Sequence, residues 1–123
     1  MNLDWKNLCA IAAREIEAML TELPDELRRR TAKLPVTFEP CPNAGLQSDG
    51  IAHDTLGLFT GAEFADEDAI PMPPQIILFL ENIWDFAEGD ENVFCGEVRT
   101  TFLHELGHYL GLDEDDLTER GLE

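Results

Sequence analysis

Trp5, Leu8, Cys9, Ala12, Ile16, Met19, Leu20 and Leu23 recur at helical intervals, with Arg14, Glu15 and Glu17 between them. This pattern predicts an amphipathic opening helix that ends before Pro24. Pro24-Asp25-Glu26 suits the first turn of a second, shorter helix running to about Lys33. The rhythm then changes. Val36-Thr37-Phe38-Glu39 reads as a short strand, and Pro40, Pro42, Asn43, Gly45, Ser48, Asp49 and Gly50 read as a loop. Leu56 to Gly61 is strand-like and bounded by glycine, and an acidic stretch from Glu63 to Asp68 follows it. After Pro71, Pro73 and Pro74, the run Gln75-Ile76-Ile77-Leu78-Phe79-Leu80 is the strongest strand candidate. Helical spacing returns near the C-terminus. Helices, then strands, then a closing helix predict an α+β domain.

Length and charge narrow the classes. The 123 residues suit one domain, and 44% hydrophobic residues suffice for a core. No apolar run approaches the roughly 20 residues of a membrane helix. Met1 to Lys6 lacks the basic-then-apolar order of a secretory signal. Cys9, Cys41 and Cys95 are odd in number and never in CxxC spacing, which predicts reduced thiols in a cytoplasm. Cys95, just before Gly96, reads as a small buried hydrophobe rather than a metal-capping switch.

The net charge is −18, and it is placed unevenly. Residues 1–33 carry six basic and six acidic side chains, whereas residues 34–123 carry twenty acidic ones against Arg99 and Arg120. Phosphate would be repelled, so nucleic acid and anionic membrane are excluded as main partners, and an RNA-processing hydrolase conflicts with the charge. Cations and cationic peptides would be attracted. Arg28-Arg29-Arg30 reads as a solvated helix face rather than a basic binding patch.

Chemistry concentrates at His104-Glu105-Leu106-Gly107-His108, an H-E-x-x-H that uses two of the three histidines. At about 100° per residue the two imidazoles lie about 40° apart on one side of a helix, together with Glu97 and Thr101. Val98, Phe102, Leu103, Leu106, Tyr109 and Leu110 fill the opposite arc, which predicts that Tyr109 faces the core. An i, i+4 histidine pair can chelate one ion, and Gly111 is placed to end the helix in a left-handed turn.

Catalytic zinc takes three protein ligands and keeps one position open. Glu114 stands three residues past Gly111, where the pattern H-E-x-x-H-x-x-G-x-x-H has its last histidine. It is the first candidate for the third ligand, followed by Asp113 and then His53; Asp115 and Asp116 read as an acidic surface turn. Glu105 is expected beside the metal rather than on it, as the base that takes a proton from bound water.

Leu56-Gly57-Leu58-Phe59-Thr60-Gly61, the acidic Pro-rich stretch, Ile76-Ile77-Leu78-Phe79 and His104 through Glu114 together resemble the short bacterial zincin-like metallopeptidases, the minimal-zincin family. The likeness covers roughly residues 34–123. It implies a compact zincin fold with a small sheet and an active-site helix crossing behind it. It also implies one zinc on His104 and His108, Glu105 as catalytic acid/base, and an acidic third ligand after Gly111. With Glu114 in place of the last histidine and no methionine after Met72, the chain departs from the metzincins.

The expected function is hydrolysis of short or unfolded peptides by a cytoplasmic zinc peptidase, all of residues 1–123 forming its one domain. Substrate would pair with a sheet edge supplied by Gly57–Thr60 or Gln75–Leu80. The alternative is a non-catalytic metal-binding module whose acidic surface meets a cationic protein.

Overall fold

A computed structural model describes residues 4–61 and 74–111. Helix α1 spans Trp5–Glu22, and the Asp4 side chain caps it by accepting from the Asn7 amide at 2.9 Å. Leu8, Ile11, Ala12, Ile16 and Met19 are buried along one stripe. Leu23 is extended, as the residue before a proline tends to be, and the helix ends there.

Helix α2 is Asp25–Thr31. Asp25 and Glu26 lie at its positive end and the three arginines at its negative end, the arrangement its dipole favours. Arg28 pairs with Asp25, and Arg30 with Glu26 at 2.6 Å. Two of the three arginines are therefore engaged within their own helix, in keeping with a solvated face.

Three strands form one sheet in the order β1-β3-β2: β1 Val36–Glu39, β2 Gly57–Thr60 and β3 Gln75–Phe79. β1 runs parallel to β3, with Val36 opposite Ile76, and β2 runs antiparallel to it, with Gly57 opposite Leu78. The central strand is the most apolar of the three, and Ile76, Leu78 and Phe79 are wholly buried.

Two helices depart from the sequence expectation. The segment read as a loop contains α3, Ala44–Ser48, started by the Asn43 side chain accepting from the Leu46 amide at 2.9 Å. The third strand stops at Phe79, and Leu80 opens α4, Leu80–Phe86. Leu80, Ile83, Trp84 and Ala87 follow helical spacing, which the preceding apolar run hides. Glu88 and Gly89 then take positive φ and turn the chain into the next helix.

That helix, α5, runs over Glu91–Leu110. Asp90 caps its start by accepting from the Val93 amide at 3.1 Å, and Gly111 ends it in the expected left-handed conformation, φ 71°. α5 packs on β2 and β3 as well as on α1 and α4. One hydrophobic cluster joins Leu8, Ile11 and Ile16 of α1, Ile76 and Leu78 of β3, Ile83 of α4, and Phe94, Phe102 and Leu106 of α5. An α+β arrangement of N-terminal helices, small mixed sheet and closing helix is thus observed.

Candidate metal centre

The sheet meets α5 on the flank that carries Thr101 and Glu105. Measured around the helix from Thr101, Glu105 lies about 40° to one side, while His108 and His104 lie about 20° and 60° to the other. Burial divides along the same line. Thr101 and Glu105 are each 8% exposed, whereas His104 and His108 face solvent. The expectation that Thr101 shares an open face with the imidazoles is therefore corrected: β2 covers it.

His104 and His108 stand with ring centroids 4.7 Å apart, inclined at 64°. The Glu105 Oε1 atom lies 3.4 Å from His108 Nδ1. One donor atom from each of His104, Glu105 and His108 falls within 4.8 Å of the others, which makes this trio a candidate metal site. The two imidazoles fit zinc, whose bonds to imidazole nitrogen are about 2 Å long. Two donors on one ion are then at most about 4 Å apart, a closure that rotation of exposed imidazoles readily supplies.

The third-ligand candidates fare differently. Asp113 and Glu114 lie outside the described residues, as do Asp115 and Asp116. His53 sits in the loop before β2, exposed, and does not belong to the trio. Its backbone is tied elsewhere: the Asn82 side chain donates to the carbonyls of His53 at 2.8 Å and Thr55 at 2.9 Å. This clamp, joined by the Phe79 amide to the Leu56 carbonyl at 2.9 Å, fixes the loop where it enters β2. Nothing in the sequence marks Asn82 for that role.

Tyr109 faces inward, as its spacing predicts. It is buried, donates to the Arg30 carbonyl at 3.3 Å and meets Phe59 edge-on at 5.8 Å, so α2, β2 and α5 converge on it. Cys95 is half-buried near Glu15, and burial first, then that carboxylate, raises its thiol pKa. The two edge-strand candidates are also separated. β3 is the middle strand, so Gln75–Leu80 cannot offer an edge, whereas β2 is an edge strand among the described residues and touches α5.

A helix bearing H-E-x-x-H, set against a mixed sheet and gathering two imidazoles and a carboxylate, forms a candidate metal centre of the zincin type. The sequence model of the zincin-like metallopeptidase family matches residues 31–122. The chain belongs to that family. No curated protein matches it. The helices α1 and α2 lie almost wholly before the matched region, yet α1 supplies one wall of the core. Among the described residues, no helix is long and apolar enough to cross a membrane.

Proposed function

We propose that the protein is a zinc-dependent peptidase acting on short or unfolded peptides in the cytoplasm. The observation that carries this reading is the contrast within one helical turn: Glu105 buried beside β2, with His104 and His108 open to solvent and all three within 4.8 Å. His104 and His108 would hold one zinc per chain, with Glu114 or Asp113 completing the set. Bound zinc supplies a Lewis acid that polarises a carbonyl and acidifies water. Glu105 takes the proton released at the attacking water and delivers it to the departing amine. The edge of β2 pairs with the extended peptide, main chain to main chain. The net charge of −18 favours neutral or basic peptides and disfavours nucleic acid.

Elemental analysis of untagged protein is expected to give one zinc per chain, lost in His108→Ala. Glu105→Gln is expected to keep the zinc while peptide cleavage falls by about 10²- to 10⁴-fold, the usual contribution of a positioned acid/base. Cleavage unchanged in Glu105→Gln would sink the peptidase reading and favour a metal-binding module.

A further inference from the structure

Gly57 takes no positive φ, unlike Gly50, Gly61, Gly89 and Gly111, so its backbone conformation does not call for glycine. Space does. A Cβ at this position would lie 2.6 Å from Thr101 Cγ2, nearer than carbon atoms approach one another, and 3.4 Å from both Glu105 Cγ and Leu78 Cδ2. Thr101 is short, β-branched and buried, so its methyl cannot swing aside as the tip of a long side chain would. The missing side chain of Gly57 is thus what lets β2 reach this flank of α5.

We propose that Gly57 and Thr101 act together as a spacing gauge, positioning residues that set the distance from β2 to Glu105. The proposal rests on the peptidase reading for its catalytic consequence, and on packing alone for the contact. β2 walls Glu105 on one side, limiting where its carboxylate can go. The same strand carries the edge along which a peptide would lie. One spacing therefore fixes both the base and the substrate it serves. His104 and His108 are exposed, and the nearest atoms a Gly57 Cβ would meet belong to Thr101, Glu105 and Leu78, so the gauge acts on proton transfer more than on metal capture. An added methyl must push β2 and α5 apart by about 1 Å, a displacement large enough to cost about 10²-fold in turnover.

The test is a double-mutant cycle of Gly57→Ala and Thr101→Ser, the second removing the methyl that the first would strike. On metal-free protein, Gly57→Ala is expected to lower the thermal midpoint by roughly 5 °C. Addition of Thr101→Ser should restore at least half of that fall. On the zinc-loaded protein, Gly57→Ala should retain zinc affinity within about twofold, lose kcat by 10- to 100-fold with a smaller change in KM, and regain much of it in the double variant. Independent, additive effects on the midpoint would overturn the gauge. So would a Gly57→Ala variant that cleaves at the wild-type rate, or a loss of zinc in step with activity. A wild-type protein that cleaves nothing overturns the peptidase reading instead, and the gauge then stands or falls on the metal-free cycle. If Gly57→Ala does not fold, Gly57→Ala with Thr101→Ser decides the point: folded supports the gauge, unfolded overturns it.

Discussion

Glu105 and His108 stand three positions apart on α5, yet one is 8% exposed and the other faces solvent. In the proposed peptidase, a base beside the metal needs a fixed carboxylate, whereas ligands that must admit an ion and a substrate need access. The cysteines show the same dependence of chemistry on setting. Burial pushes the Cys9 thiol up, and burial followed by the Glu15 charge pushes Cys95 up, while Cys41 is exposed. Since the thiolate is the reactive form, alkylation of native protein at mildly alkaline pH should modify Cys41 first, with Cys9 and Cys95 following at least about tenfold more slowly. All three should react alike in denaturant, and peptide mapping of a time course reads the order directly. The sign for stability follows from the same shifts. A folded-state pKa above the unfolded one means the neutral thiol stabilises the fold below the unfolded pKa. That contribution fades as pH rises through the folded value.

At the level of elements, the end of α5 is set by local conformation. Gly111 adopts φ 71°, a region that disfavours residues with a Cβ, and its amide donates to the Gly107 and His108 carbonyls. Gly111→Ala should cost about 1 kcal/mol of stability in chemical denaturation. If Asp113 or Glu114 is the third ligand, it should also weaken zinc binding beyond that loss, because the chain leaves the helix at another angle. A second expectation concerns the clamp on the loop before β2. Asn82→Ala removes two side-chain hydrogen bonds, to His53 and Thr55, and should cost about 1–3 kcal/mol, with hydrogen exchange rising first in residues 53–57.

These two features also mark what the sequence could convey. Gly111 was legible because a glycine after a periodic apolar helix has a local meaning, and H-E-x-x-H is local too. The first helix, β1 and the core of β3 were readable for the same reason, since period and punctuation coincide there. The apolar run Ile76 to Leu80 crosses from strand to helix without a polar break, so the pattern carries Leu80 into the strand and only the backbone shows the change. The Asn82 clamp spans 27 and 29 residues, and the meeting of Gly57 with Thr101 spans 44. Such contacts arise from tertiary packing, and a pattern of neighbours along the chain carries no record of them. Gly57 opens β2, where a glycine can mark a close backbone approach, but the sequence pattern shows it only as a boundary.

For the whole molecule, the family match and the physical core have different limits. The match begins at residue 31, but Leu8, Ile11, Ala12, Ile16 and Met19 of α1 and Leu27 of α2 are buried in the same cluster as Phe102 and Leu106. Arg99 of α5 also stands 3.8 Å from Glu15 and 3.7 Å from Glu22 of α1, although exposed pairs of this kind add little stability. The apolar contacts therefore dominate. Each of those α1 and α2 side chains is worth about 1.5–3 kcal/mol of burial, except the smaller alanine, and their sum is comparable to the roughly 5–15 kcal/mol by which a domain is stable. A chain beginning at residue 31 would keep the H-E-x-x-H and the sheet yet expose the rear of α5. It should show no cooperative thermal transition and bind zinc only weakly, through an i, i+4 histidine pair on a fraying helix. Adding back residues 1–30 as a separate peptide should restore helical circular dichroism with a dependence on peptide concentration. A truncated chain that melts cooperatively near the full-length midpoint would mean that the sheet and α5 hold the metal centre without the N-terminal helices.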